Sequence, residues 1–186
     1  MSRSGTVALA LLCALLVFDG EPLSASAALA GAPGGQTAAF GEEQIADQLR
    51  RLNSTLTDRQ VRRIAAAVMK YSEKYGLDPE LVTDVMQVES TARPWVRSPA
   101  GAVGLMQVMP YMASQLDITG NLTSIESNVE AGCIILADNI RRLGEDDGIL
   151  AYFWGSDIRG ASYLERVRAA RAARAARAAA DRETES

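Results

Sequence analysis

The sequence predicts an all-α fold, and three observations carry that prediction. Apolar residues recur at three- and four-residue spacing in several stretches, helix-capping patterns bracket those stretches, and no alternating strand pattern of useful length lies between them. The chain has 186 residues, 48% of them hydrophobic and 23% charged, which suits one compact domain with peripheral segments.

The elements follow in order. Arg3 precedes an apolar run of 13 residues, Thr6 to Phe18, and Ala25-Ser26-Ala27 then offers a small-x-small cleavage pattern, with Ala28-Leu29-Ala30 as a second. This is the pattern of a signal peptide over residues 1–27, too short for an ordinary membrane span. Cys13 lies inside the apolar run, away from its cleavage end, which argues against a lipid-anchored cysteine. A cut after Ala27 leaves 18 basic and 21 acidic residues and a single cysteine, so no internal disulfide is expected. No later apolar segment is long enough for a stable membrane span after cleavage.

Residues 28–56 read as a flexible lead-in, rich in Gly, Ala and Pro from Gly31 to Gly41, followed by a short amphipathic helix from Glu42 to Leu52. Thr57 and Gln60 form a capping box for a helix whose core stripe is Val61, Ile64, Ala65, Val68 and Tyr75, with Gly76 as its stop. Asp78 as N-cap and Pro79 at the first helical position open the next helix. Residues 91–109, rich in Gly, Pro and small side chains, read as an ordered loop, and Pro110 starts a short helix. Ser127 and Glu130 suggest a second capping box, before a stripe of Val129, Cys133, Leu136, Ile140 and Leu143 that ends at Gly144. A last core segment spans Gly148 to Trp154. From Val167 onward, Arg168, Arg171, Arg174 and Arg177 alternate with pairs of alanines, which predicts a helix. A spacing of three drifts around a 3.6-residue helix, so no sharp arginine face is expected. The tail reads as a solvated terminal helix, or as a weak electrostatic contact with an anionic surface. On either reading, removing residues 169–186 is expected to leave activity on soluble substrate unchanged.

Composition excludes several function classes. Histidine is absent, which removes Ser-His and Cys-His catalysis and the commonest transition-metal ligand. Cys13 and Cys133 are too far apart in sequence for a metal knuckle or redox pair. Glu145-Asp146-Asp147 lacks the alternating spacing of a calcium loop. The net charge of −4 gives no reason to expect nucleic acid as a partner. Chemistry must run on carboxylates, hydroxyls, amides or Lys/Arg, and no metal or cofactor is expected.

One carboxylate stands out. On the helix from Pro79 to Ser90, Glu80, Thr83, Asp84 and Gln87 make a polar face, while Val82, Val85 and Met86 make the apolar one. Glu89 falls on the apolar stripe, where a leucine would be expected. Burial and the negative end of the helix dipole should both raise its pKa, favouring a carboxylic acid that can donate a proton near neutrality. This helix alone leaves a second reading open, a rim glutamate or one paired with Arg93 or Arg97.

The residues that follow decide between them. Glu89-Ser90, the stretch Ser98-Pro99-Ala100-Gly101-Ala102-Val103-Gly104-Leu105-Met106-Gln107-Val108-Met109-Pro110, Asn128 with Gly132, and Ala151-Tyr152 together resemble the soluble lytic transglycosylase domain family, whose fold is lysozyme-like. The resemblance covers roughly residues 61–167. It implies a domain at 57–167, a peripheral Ala/Arg-rich helix at 168–186, and cleavage of peptidoglycan glycan strands between N-acetylmuramic acid and N-acetylglucosamine. It also implies a periplasmic or secreted location. By the same resemblance Glu89 is the general acid and then the base, Ser98 a hydroxyl beside its carboxyl group, and Tyr152 the phenol that orients it. Gln107 and Met109 resemble substrate-groove residues, Ser90 a supporting hydroxyl, Gly101 and Gly104 positions where the backbone nears the ligand, and Tyr163 the family's later tyrosine. Met106 and Met109 also fit as core fillers, and Cys133 as an inert core thiol.

The sequence departs from the family at two places. Phe153 stands where the family usually has Asn, and the segment before Tyr163 is short, with Arg159 where relatives carry a glutamate. Alternative functions on the same residues are a goose-type lysozyme hydrolase, a non-catalytic peptidoglycan-binding module, and a part of a trans-envelope assembly docked through the tail. The scarcity of carboxylates near Glu89 favours an internal attack that yields a 1,6-anhydro product over hydrolysis.

Overall fold

Thr57 closes its capping box as its sequence requires. Its hydroxyl accepts from the Gln60 backbone N–H at 3.3 Å, and the Gln60 side chain accepts from the Thr57 backbone N–H at 2.7 Å. The computed structural model describes residues 34–115, 118 and 120–184, so the expected signal peptide and residues 28–33 lie outside the described residues. Among those described there are seven helices and no strand: α1 (Gly34–Leu52), α2 (Asp58–Tyr75), α3 (Pro79–Ser90), α4 (Pro110–Gln115), α5 (Ile125–Leu143), α6 (Glu145–Trp154) and α7 (Ser162–Thr184). The all-α expectation holds. None of these helices is long and apolar enough to cross a membrane.

Helix α2 is the hub of the bundle. Val61, Ile64, Ala65 and Val68 are buried, and the helix packs against α1, α3 and α5, while α6 packs on α5 and α7 on both α3 and α6. Gly76 ends α2 in the left-handed conformation, at φ 67°, that glycine adopts without steric cost. Asp78 caps α3 through the Glu80 N–H at 2.8 Å, with Pro79 at the first position.

Three boundaries differ from the sequence expectation. Helix α1 begins at Gly34, well before Glu42. Once a helix is nucleated, extension through Ala38 and Ala39 is inexpensive, so a composition read as a flexible lead-in propagates the helix. Helix α5 is capped by Ser124, whose hydroxyl accepts from the Ser127 N–H at 3.3 Å, and not by Ser127. The earlier start buries Ile125 and brings Asn128 into the first turn, facing the loop that α3 leads into. Helix α6 starts at Glu145, with three acidic residues in its first turn complementing the helix dipole.

The largest difference concerns the C-terminal segment. Helix α7 runs from Ser162 through the Ala/Arg repeats without a break, and Tyr163, Leu164, Val167 and Ala170 are buried. The arginines that follow meet acids of the domain. Arg168 pairs with Asp146 at 2.7 Å and Arg171 with Glu145 at 3.1 Å. Arg174 reaches Glu80 at 2.6 Å and Asp84 at 3.2 Å, and the Asp84 side chain has 0% exposure. The polar face of α3 is therefore roofed by α7. Burial pushes the Asp84 carboxyl above the ordinary range, against the pull of Arg174, Arg171 and Gln48. With burial outweighing its partners, the pair adds little net stability, but it fixes where α7 lies on α3.

The arrangement gives residues 169–186 a part in the packing of the domain. Deleting them removes Arg174 together with the cover over Asp84, whereas truncating the Arg174 side chain alone leaves Asp84 buried without its arginine, a loss of about 3–5 kcal/mol. Deletion of residues 169–186 should lower urea-unfolding stability clearly more than deletion of 176–186, which keeps Arg171 and Arg174 in place. Arg174→Met should reproduce most of the loss, and adding Asp84→Asn should recover much of it. Equal stabilities for the two truncations would contradict the assignment.

Candidate active site

Glu89 sits in the last turn of α3, where the helix ends abruptly. Thr91 and Ala92 both adopt left-handed backbone, at φ 52° and 53°. Two consecutive non-glycine residues there cost on the order of 1–2 kcal/mol each. The turn is held from both sides. Ser90 Oγ donates to the Leu105 carbonyl at 2.7 Å and accepts from the Arg93 N–H at 3.3 Å, while Asn53 Nδ2 donates to the Ala92 carbonyl at 3.1 Å. The reversal lays the loop 96–109 beside the end of α3.

That loop is built by its own backbone and by Asn128. Arg97 bridges Val103, and Val103 exchanges two hydrogen bonds with Val108, at 3.0 and 3.1 Å. From α5, Asn128 accepts from the Met106 N–H at 2.8 Å and donates to the Val103 carbonyl at 2.8 Å. Gly104, at φ 78°, leaves room for this amide, since a Cβ there would lie 2.5 Å from Asn128 Nδ2. Gly132 does the same for Met106, because its Cβ would come within 2.5 Å of the Met106 Cβ. Met106 has 0% exposure and is a core residue, not a groove contact. Gly104 likewise makes room for Asn128, not for a ligand.

Glu89 opens into a cleft of about 380 Å³, a volume within the range of small-molecule sites. Ser98, Gln107, Met109, Tyr152 and Phe153 line it together with Glu89, and Val108, Met112 and Ile135 give it an apolar wall. Among the residues lining this cleft, Glu89 is the one carboxylate. A groove of about 460 Å³ lies between α1, α3 and α7, but two of its carboxylates are spent in ion pairs, Asp47 with Arg50 and Glu80 with Arg174. Neither Arg93 nor Arg97 pairs with Glu89. Its hydrogen bond comes from the Tyr163 hydroxyl, which donates to Glu89 Oε1 at 2.5 Å.

Two opposed effects act on the Glu89 carboxyl. Burial raises its pKa and is the larger, while the Tyr163 hydrogen bond and the positive charge of Arg166 lower it. The acid is thus held above the ordinary carboxylate range with a donor ready for its ionised form. Three of the acids that flank it in sequence are engaged elsewhere. Asp84 is bound to Arg174, Glu126 to Arg63 at 2.8 Å and Glu130 to Lys74 at 2.7 Å, and Asp117 lies outside the described residues.

Several assigned roles change place. The phenol on Glu89 belongs to Tyr163, because the Tyr152 hydroxyl donates to the Met106 carbonyl at 2.7 Å and so braces the loop. Ser98 shares the cleft with Glu89, but its oxygen accepts from the Ala102 N–H at 3.0 Å. Gln107, itself at φ 48°, donates its amide nitrogen to the Gly104 carbonyl at 2.8 Å and to Val96 at 3.3 Å, so its amide oxygen is what it can offer a ligand. Gly101, at φ 94°, serves the turn between Ser98 and Ala102. Cys133 is buried with its thiol pushed up to about 12, an inert state. Arg166 was missed by sequence reading, although its position one helical turn after Tyr163 places the two on one face.

Comparison with known proteins gives the family. The transglycosylase SLT domain profile matches residues 66–172, more than half of the chain, and the chain belongs to that family. It is similar to a transglycosylase of Enterobacteria phage PRD1, 40% identical over 87 residues, covering 46% of this chain and 32% of that protein. It is also similar to the membrane-bound lytic murein transglycosylase C of Haemophilus influenzae, 39% identical over 54 residues, covering 29% of this chain and 15% of that one. The chain thus spans a third or less of the relatives it matches. Among solved structures it is similar to the 70 kDa soluble lytic transglycosylase of Escherichia coli. There the TM-score is 0.49 and the identity 21%, covering 73% of this chain and 25% of that one.

A raised folded-state pKa means that Glu89 favours folding while protonated and that this contribution is lost as pH rises through the raised value. Glu89→Gln, which is neutral at every pH, should therefore have a higher thermal midpoint than the parent chain at pH 7–8. The difference should shrink toward pH 4. A midpoint difference that does not vary with pH would show that burial is not what dominates this carboxyl.

Proposed function

We propose that the chain is a peptidoglycan lytic transglycosylase that cuts between N-acetylmuramic acid and N-acetylglucosamine and leaves a 1,6-anhydro end. The observation that carries this reading is Glu89, a half-buried carboxyl with a phenol donor, as the single carboxylate lining its cleft. Family membership and the names of the similar proteins support the substrate class.

Protonated Glu89 donates to the bridging oxygen, and the bond from the muramic C1 to that oxygen breaks with its electron pair going to the leaving sugar. The C1 centre becomes oxocarbenium-like. Glu89, now ionised, accepts the proton of the muramic 6-hydroxyl as that oxygen bonds to C1. No water enters and the carboxylic acid is restored. Burial favours the neutral stage and the Tyr163 hydroxyl the ionised one, so the two influences on Glu89 serve the two halves of one cycle. A hydrolase would need a second carboxylate about 5 Å away as nucleophile, or about 6.5–9.5 Å away to hold water. The substrate's own acetamido group is suited to stabilise C1 in its place. Such a reaction belongs outside the cytoplasm, in the periplasm or after secretion, in keeping with the signal peptide expected at residues 1–27.

Mass spectrometry of purified sacculi digested in oxygen-18 water should find 1,6-anhydro ends without the heavy isotope. Reducing ends labelled with oxygen-18 would instead assign the chain to goose-type lysozyme chemistry, and intact strands to a binding module. Glu89→Gln should lower the rate of strand release by about a hundredfold or more.

A further inference from the structure

The rings of Phe153 on α6 and Tyr163 on α7 are stacked, with centroids 4.8 Å apart and planes 16° from parallel. The Arg166 guanidinium lies 5.5 Å from the first centroid and 5.4 Å from the second, so it bridges the pair and does not form a third layer. Trp154 meets Phe153 edge-on at 4.8 Å, and its indole N–H donates to the Gly160 carbonyl at 3.2 Å, tying down the segment between the two helices. Tyr163 is fully buried, whereas Phe153 is 47% exposed and lines the cleft with Glu89.

We propose that Phe153 is a positioning residue: its stack on Tyr163, bridged by Arg166, holds the phenol on Glu89. Tyr163 needs such a hold because it lies in the first turn of α7, which follows an exposed segment and is the part of a helix its own hydrogen bonds constrain least. A small rotation of the ring swings its hydroxyl through a wide arc, and a hydrogen bond weakens steeply with misalignment. Stacking fixes the ring plane with a preferred geometry that an aliphatic neighbour does not impose. The bridging guanidinium adds a cation–π contact within the effective range of both rings. The groups that act on the Glu89 carboxyl are Tyr163 and Arg166, both from α7 and both joined by the clamp, and Tyr152 from α6 is a neighbouring phenol whose ionisation Glu89 opposes.

The inference rests on Glu89 acting as the acid, but it is tested on the carboxyl itself. In the full chain labelled with 13C-glutamate, the Glu89 signal is assigned by its loss in Glu89→Gln and titrated by NMR. Phe153→Leu keeps volume and apolarity but removes the stack. It should raise the midpoint by up to about one pH unit, the scale of a lost charge-assisted hydrogen bond, because the ionised form loses its donor. Phe153→Tyr should restore the parental midpoint. Arg166→Gln, at an exposed position, should also raise it. In a Tyr163→Phe background, Phe153→Leu should produce no further shift. An unmoved midpoint in Phe153→Leu, or an equal shift with and without the Tyr163 hydroxyl, would overturn the proposal. Failure of the parent chain to release products from sacculi would instead overturn the catalytic reading, and the titration would still decide whether Phe153 positions Tyr163.

Discussion

The burial of the Glu89 carboxyl beneath a single phenol is the interaction on which the rest of the structure depends. A carboxylate withdrawn from water is costly unless a donor meets it, and here the donor comes from a helix 74 residues away in sequence. Helix α7 must therefore lie along α3 in a fixed register. A second withdrawn carboxylate, Asp84, is met by Arg174 from that same helix, eleven residues or about three turns beyond Tyr163. Two polar fixings along one helix pair define both its position and its rotation, which apolar packing through Leu164, Val167 and Ala170 would fix less sharply.

The second wall of the cleft has a different construction. Most residues of its motif act on the loop itself. Ser90 ties the end of α3 to Leu105, Asn128 takes the Met106 and Val103 backbone groups, and Tyr152 takes the Met106 carbonyl. Gly104 and Gly132 leave space for these contacts, and Met106 fills the core behind them. The loop is buried enough that its backbone groups need partners, and a polar network of this kind satisfies them. What remains directed at the cleft is a short set: Glu89, the Ser98 hydroxyl, the Gln107 amide, Met109 and the exposed part of Phe153.

Phe153 joins the rim of the cleft to α7. Its ring has a stacking partner in Tyr163 and a cation in Arg166. It thereby links the cleft to the donor on the acid, with the segment before Tyr163 fastened by Trp154.

The helix class, the caps at Thr57 and Asp78, the stop at Gly76 and the misplaced glutamate were all legible in the sequence. Each rests on interactions within a few residues, whose spacing is the helical period itself. Glu89 could be singled out because an ionisable group on an apolar stripe contradicts its local pattern. The donor that answers it was assigned to Tyr152 and proves to be Tyr163, since both are aromatic residues near helix ends and only the crossing of α6 and α7 over α3 decides which hydroxyl arrives. The same holds for the arginine repeat. Its spacing of three specifies no face by itself, and Arg168, Arg171 and Arg174 acquire distinct partners only because α6 and α3 present Asp146, Glu145 and Asp84 at successive turns. Sequence thus determined the helices and the acid, through short-range periodicity. Tertiary structure decided which side chains meet that acid, because those contacts depend on how helices distant in sequence cross.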